Sequence, residues 1–254
     1  MSDDLTPHTH PGFPFSTGHY TARLGTSAEH VRRAQRLRFA VFNEELKEGL
    51  PESWKTGHDE DRFDAVCDHL LVEETASGSV VGTYRLLTGA RAADRGTGYY
   101  SAQEFDFAPF EPHREKILEL GRACVASGHR NQTVIGLLWR GISIYARAAN
   151  TRYLIGCSSL TTQDPGVGSS AYVQLAGRHL APESFRTKPL PEFAFPIVPG
   201  PELARIPKLM AAYIAVGARI CGEPALDRVF KTIDFLTLLD LDSLPVAVAR
   251  KYLS

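Results

Sequence analysis

The sequence predicts a mixed α/β fold, an open sheet with helices on both faces, and three observations carry that prediction. Segments of strand and helix character follow one another in the order strand, helix, three strands, helix, strand. Of 254 residues, 43% are hydrophobic and 22% charged, which suits a chain that buries a sizeable core. No internal repeat divides it. The expected organisation is a flexible arm over residues 1–18, a core over 19–200, and a helix–strand–helix extension over 201–254 that completes the same domain.

The arm is rich in Pro, His and Thr and has no apolar period, so His8 and His10 read as a solvated tail. A short strand is expected over Tyr20–Leu24. Thr26 and Ser27 then cap a helix running to about Leu46, with Val31, Ala34, Leu37 or Arg38, and Val41 at helical spacing. Cys67–Glu73 and Ser79–Leu87, joined by Ala76-Ser77-Gly78, form an antiparallel hairpin. Residues 88–116 read as irregular. A strand over Ile117–Val125 breaks at Gly128–Asn131, and a helix follows from Gln132 to about Asn150, presenting Val134, Leu138, Ile142, Tyr145 and Ala149 on one face. Next come a strand over Tyr153–Cys157, a turn over Thr161–Gly168 and a short helix over Ser170–His179. Beyond a proline-rich connection, Pro207 opens a helix that Gly222 and Pro224 end. Thr232–Asp240 is a strand, and Val246–Leu253 a closing helix.

Twenty-eight basic and 29 acidic residues leave a net charge of −1, against the basic excess that a nucleic-acid partner would demand. The charges are nevertheless segregated. Between Leu120 and Gln163 stand Arg122, Arg130, Arg140, Arg147 and Arg152 and no acid; between Asp59 and Glu74 stand seven acids and one arginine. Such a pattern suits an acidic side for a cationic substrate and a basic side for an anionic partner, or two solvated faces partly paired with each other. The longest uncharged stretch, Leu5–Ala22, holds three histidines and three prolines and is no membrane span. The start, MSDD, lacks a basic and then apolar leader, so a cytoplasmic location is expected. Cys67, Cys124, Cys157 and Cys221 lie far apart, and read as buried thiols, with no metal site expected.

There is no GxSxG, P-loop, HExxH, or GxGxxG after a strand. A spaced polar set says more: Arg38 and Phe42 in RFAVF, Asp59, Asp61 and Asp64 in DEDRFD, Arg85 in VVGTYRLL, then Glu119 and Arg122 in ELGRACV. This order resembles the acyl-homoserine-lactone synthases of the GNAT fold, with aspartate where that family opens its acidic run with glutamate. The chain resembles a sister group more closely, the ornithine-lipid acyltransferases. The likeness lies in Asp61–Val72, in VVGTYRLL, in ELGRACV with the HRNQTVIGLLWRGI helix, and in the block Ile220–Leu244, and it covers roughly residues 20 to 250.

The resemblance implies a GNAT-like fold with a C-terminal extension and an amide-forming acyltransferase. Such an enzyme would move a (3-hydroxy) fatty acyl group from acyl carrier protein to the α-amine of ornithine, the first step of ornithine lipid synthesis. A homoserine-lactone synthase, a synthase acting on glutamine, lysine or glycine, and a non-catalytic acyl-carrier or lipid-binding module are the alternatives. No permanent cofactor is implied; the donor is the acyl-phosphopantetheine of acyl carrier protein. Coenzyme A users carry a Q/RxxGxG/A turn before the central helix, and this chain has Thr133 and Ile135 at the two small positions counted from Arg130. A lipid-like product also implies transient contact with the inner membrane surface.

Roles follow from what the chemistry needs. Asp59, Asp61 and Asp64 are expected to hold ammonium groups, and Arg38 or Arg85 the acceptor carboxylate. Phe42 lines the acceptor pocket. Glu119 is the candidate base, directly or through water, and backbone N–H groups from Arg122 to Cys124 are candidates for the oxyanion. Arg130, Asn131, Gln132, Arg140 and Arg147 are expected to receive the pantetheine arm and the acidic carrier. Structural alternatives stand beside these: Glu119 and Arg122 as a buried ion pair, Arg85 tied to Asp61 or Asp64 to order the loop, and Tyr172 as a packed residue or a thiolate acid.

Overall fold

Strands form where the sequence runs apolar and β-branched, and most of them begin or end within two residues of the expected positions. β1 (Phe15–Thr17), β2 (Tyr20–Leu24), β3 (Asp68–Glu74), β4 (Val80–Thr88), β5 (Ile117–Val125), β6 (Tyr153–Leu160), β7 (Arg219–Ile220), β8 (Ala225–Asp227) and β9 (Thr232–Asp240) build one sheet. Its order is β1-β2-β3-β4-β5-β6-β9-β7, with β8 also paired to β9. This computed structural model describes residues 10–94, 96–246 and 250.

Helices cover both faces. α1 (Ala28–Phe39) lies on one, where Ser27 caps it by accepting from the His30 N–H. α4 (Gln132–Ala148) lies on the other, and its Val134, Leu138, Ile142 and Tyr145 pack on Leu70, Val72, Leu86 and Leu118. α6 (Lys208–Ala215) adjoins α4 through Tyr213, whose hydroxyl meets that of Tyr84 at 2.5 Å. The face carrying α1 also holds a second core built on Phe63, Tyr99, Phe105, Phe110, Ile117 and Ile155. No helix among the described residues is long and apolar enough to cross a membrane.

Several expectations shift. Within the arm expected over residues 1–18, Phe15–Thr17 pairs with β2, held by Phe13 and Phe15 packing on the α4 core. α1 stops at Phe39 and continues as a π-helical turn over Ala40–Glu45. Residues 88–116 carry α3 (Gly89–Asp94) and two 3₁₀ segments, and α2 (Ser53–Thr56) precedes them. α5 (Pro165–His179) begins five residues early, because Asp164 Oδ1 accepts from the Gly166 N–H at 2.8 Å and Pro165 fits the first turn. α6 ends near Gly217, at φ +108°, and β7 and β8 fill the stretch after it. His8 and most of the closing helix lie outside the described residues.

Candidate active site

Parallel pairing of β5 with β6 lasts three positions, Ile117–Tyr153, Leu118–Leu154 and Glu119–Ile155, and then the strands part. Two local features mark the place where they part. On β5 a bulge sets Thr83 opposite Cys124 and Arg85 opposite Gly121, so β5 carries one residue more than β4 there. Within it Arg122 takes φ +49°, which re-aims its side chain. On β6, a Cβ at Gly156 would lie 2.4 Å from the Leu120 carbonyl oxygen, a contact that only glycine avoids. The gap opens a cavity of about 290 Å³. Its walls differ from face to face. Tyr84, Leu120, Trp139, Leu154 and Tyr213 line it on the α4 side, whereas Arg85, Ser101, Glu119, Arg122 and Asp234 line it on the α1 side. Phe42 is also a wall residue, as expected.

The acidic run meets three arginines. Arg38, 1% exposed, donates from Nε to Asp59 Oδ1 at 2.7 Å and forks onto both oxygens of Asp64 at 2.8 Å. Arg85 reaches Asp61 Oδ1 at 2.6 Å and Asp64 Oδ1 at 3.4 Å. Arg122 reaches Asp59 Oδ1 at 3.1 Å and Asp61 Oδ2 at 2.9 Å. Three positive and three negative charges thus cancel. Although burial opposes ionisation, Arg38 holds the Asp64 carboxyl far below its usual range, and Arg85 with Arg122 lowers Asp61. His69, lowered to about 4 mainly by burial, is neutral and donates to the Asp64 carbonyl at 3.1 Å.

This geometry changes the expected roles. Asp59, Asp61 and Asp64, expected to hold substrate ammonium groups, pair with arginines of the same chain and are absent from the cavity wall, although Asp59 Oδ2 is left without a partner. Arg38, expected to reach the acceptor carboxylate, is sealed under Asp59 and is absent from the cavity wall. Arg85 and Arg122 keep an edge on the cavity. The alternative in which Arg85 orders the loop through Asp61 and Asp64 is the arrangement present.

Glu119 does not pair with Arg122. Its Oε1 accepts from the Ser101 N–H at 2.8 Å and the Ser101 hydroxyl at 2.5 Å, and its Oε2 accepts from the Tyr100 N–H at 2.7 Å. Burial pushes the carboxyl up, and these three donors oppose the push. Two carboxylate oxygens have about four lone-pair directions, so roughly one remains. Glu119 therefore pins the Tyr100–Ser101 turn against β5 while still lining the cavity.

A second acidic group was missed in the sequence. Glu104, at the end of a 3₁₀ turn, and Asp234, on β9, approach each other beside Cys157, with ligand atoms of all three within 4.8 Å. Asp234 lines the cavity. An acid inside TIDFLTLLD, otherwise apolar and buried, is the signal that could have found it, since carboxylates are seldom buried without a reason.

The expected carrier-binding residues gather around α4. Asn131 caps the helix by accepting from the Val134 N–H at 3.0 Å, and Gln132 stands exposed at its first turn. Arg130 forks onto Glu45 at 2.6 and 2.7 Å. Arg140 sits 4.6 Å from the Phe15 ring centre, and Arg147 is exposed on the last turn. Of the five arginines in the acid-free stretch, Arg122, Arg130 and Arg152 are paired with acids from outside it, Arg152 with Asp240 and Asp242. The segregation of charge along the chain is partly undone in space. Tyr172 is partly buried at the β9 core, packed as in its structural alternative.

Comparison with known proteins supplies three findings. A family model described as acetyltransferase (GNAT) domain matches residues 37–140. The chain is 33% identical to the L-ornithine N(alpha)-acyltransferase of Agrobacterium fabrum, covering 93% of this chain and 85% of that one. It is 35% identical to the protein of the same description in Rhizobium meliloti, covering 86% and 79%. Among solved structures, FeeM, an N-acyl amino acid synthase from uncultured soil microbes, superposes with a TM-score of 0.55 at 12% identity, covering 90% of this chain and 95% of that one.

Proposed function

The chain belongs to the L-ornithine N(alpha)-acyltransferase family, and on that premise we propose that it transfers a (3-hydroxy) fatty acyl group to the α-amine of ornithine, the first step of ornithine lipid synthesis. It is an amide-forming acyltransferase on a GNAT-like fold. One observation carries the mechanism: the cavity passes through the sheet where β5 and β6 part, apolar towards α4 and polar towards α1.

The thioester lies in the gap with its acyl chain against the apolar wall, and the acceptor comes from the polar side. The Arg85 and Arg122 edges on the cavity take the acceptor carboxylate. The remaining lone pair of Glu119 takes a proton from the α-ammonium, directly or through water, which frees the amine to attack. Backbone N–H groups beyond the bulge stabilise the oxyanion. The C–N bond forms to give the oxyanion, the C–S bond then breaks as the carbonyl re-forms, and the proton that the new amide nitrogen gives up leaves on the departing thiolate as thiol. The donor is acyl carrier protein, whose pantetheine phosphate meets the first turn of α4 at Asn131 and Gln132, with Arg140 and Arg147 towards its acidic surface. The lipid-like product is released at the inner membrane surface.

Lipid mass spectrometry on cells expressing the full chain tests this reading. The expected product is N-acylornithine with a 3-hydroxyacyl chain; a glutamine, lysine, glycine or lactone head group would replace ornithine. Assays with acyl carrier protein and coenzyme A thioesters side by side test the donor. Glu119→Gln is expected to lower kcat by about 10²-fold or more; near-normal turnover removes Glu119 from the proton path.

A further inference from the structure

We propose that Asp234 and Glu104 seat the side-chain ammonium of the acceptor, and that this seat makes the site selective for an amino acid with a second cationic group. The inference rests on the reading of the cavity as the acceptor site. It assigns the cation-binding task to carboxylates other than Asp59, Asp61 and Asp64.

Three observations support it. First, no salt bridge to Glu104, Asp227 or Asp234 is found among the described residues, whereas the other three acids have three arginines between them. Second, Asp234 is 4% exposed and touches the side chains of Glu104, Ser159 and Thr232, yet its Oδ1 has no partner in good hydrogen-bond geometry; Thr232 Oγ1 beside it on β9, 3% exposed, has none either. Both residues line the cavity, so a buried carboxylate oxygen that can only accept and a buried hydroxyl that can accept or donate are left without a well-aligned partner there. Third, the cluster and Glu119 lie on the same face of the sheet, so one acceptor molecule can meet Glu119 with its α-amine and the cluster with its far end.

Electrostatics agrees. Burial pushes both carboxyls up, and the mutual charge of Glu104, Asp234 and Asp227 adds to the effect. An ammonium between them relieves that repulsion and supplies the missing donors. Asp227 itself is occupied, its Oδ1 accepting from the Val229 and Phe230 N–H groups, and acts through its charge. Cys157 points its thiol at Ser101 Oγ and Glu104 Oε2, at 3.6 and 3.9 Å, with burial keeping it protonated.

The test uses the full chain with an acyl carrier protein thioester and three acceptors: L-ornithine, L-lysine, and L-norvaline, which is ornithine without its side-chain ammonium. Calorimetry of each amino acid on the enzyme runs in parallel. The wild type is expected to prefer ornithine to norvaline by at least about 10²-fold in kcat/KM, since a site built for a polar group rejects the analogue lacking it. Asp234→Asn is expected to raise the ornithine KM at least 10-fold and collapse that preference, and Glu104→Gln to do so to a lesser degree. Where Asp234→Asn does not fold by circular dichroism, Thr232→Val and Glu104→Gln decide. Unchanged ornithine affinity in these variants overturns the proposal, as does an equal loss for ornithine and norvaline. A stoichiometric divalent ion found by elemental analysis of the wild type and lost in Asp234→Asn also overturns it. If no amino acid is acylated, the proposed function fails, while the ornithine and norvaline calorimetry still decides the seat.

Discussion

Two groups of three carboxylates sit on one face of the same sheet, and they solve the problem of buried charge in opposite ways. Asp59, Asp61 and Asp64 are neutralised by Arg38, Arg85 and Arg122, with hydrogen bonds between 2.6 and 3.4 Å. Glu104, Asp227 and Asp234 have no arginine among the described residues, and two oxygens at their edge lack a well-aligned partner. A self-neutral network stabilises the fold and leaves no net charge for a cation: Asp59 Oδ2 has no partner but lies off the cavity wall, and the edges that face the cavity are those of Arg85 and Arg122. An unbalanced one destabilises the empty protein and is completed by a cation. Acidic residues clustered in sequence are therefore a poor guide to where a cationic substrate binds; the residual charge of the folded cluster is the better one.

The largest expected effect comes from unbalancing the first group. Arg38→Met strands Asp59 and Asp64 in the interior and should cost about 3–5 kcal/mol, read as a lower urea midpoint. Asp234→Asn should do the reverse for stability. It removes an unpaired buried charge, so the empty variant should unfold at an equal or higher temperature than the wild type, with a gain of roughly 1 kcal/mol; a clear loss of stability would erase the contrast.

Acid and base should then separate the groups. Burial and mutual repulsion raise both carboxyls of the Glu104–Asp234 pair, so the folded state keeps protons that the unfolded chain has lost; the associated stability is complete below pH 3.8 and is lost as pH rises through the pair's raised titrations. Asp61 and Asp64 are lowered, so their contribution is present above 3.8 and lost as pH falls. Thermal midpoints measured from pH 3 to 8 should show both limbs in the wild type, and Asp234→Asn should make the decline with rising pH shallower while leaving the acid limb of Asp61 and Asp64 in place. The smallest effect is at the surface. Glu45→Gln breaks the Arg130 fork for no more than about 1 kcal/mol, and by releasing Arg130 it should lower the KM for acyl carrier protein; a raised KM would count against docking there.

Sequence reasoning reached the sheet more easily than the site. β2, β5 and β9 stand at their expected residues, because an apolar run bounded by turn residues defines a strand locally. α5 was placed late because Asp164-Pro165 reads as a turn until the Asp side chain is seen capping a helix. β7 and β8, of two and three residues, exist through pairing with β9 and have no pattern of their own. Around the cavity, the motifs make Arg38, Phe42, Arg85, Glu119, Arg122 and the three aspartates stand out in the sequence, yet Arg38 and the aspartates are absent from the cavity wall. Their pairing is not legible, since Arg122 finds Asp59 and Asp61 from 63 and 61 residues away. Glu104 and Asp234, 130 residues apart in sequence, become neighbours only when β9 inserts beside β6.

The parting of β5 and β6 also sets the order of events in time. On the proposed reading, acyl donor and amine meet in one opening, and the thiol that lines it is a poor acyl carrier. Cys157, the thiol in that opening, is kept protonated by burial and by the nearby charge of Glu104. A half-reaction that stores the acyl group on this thiol is therefore disfavoured. Initial velocities against the two substrates should follow intersecting lines, with the carrier's thiol leaving only after the amine has arrived. The split strand pair makes the enzyme a matchmaker that must hold both partners at once.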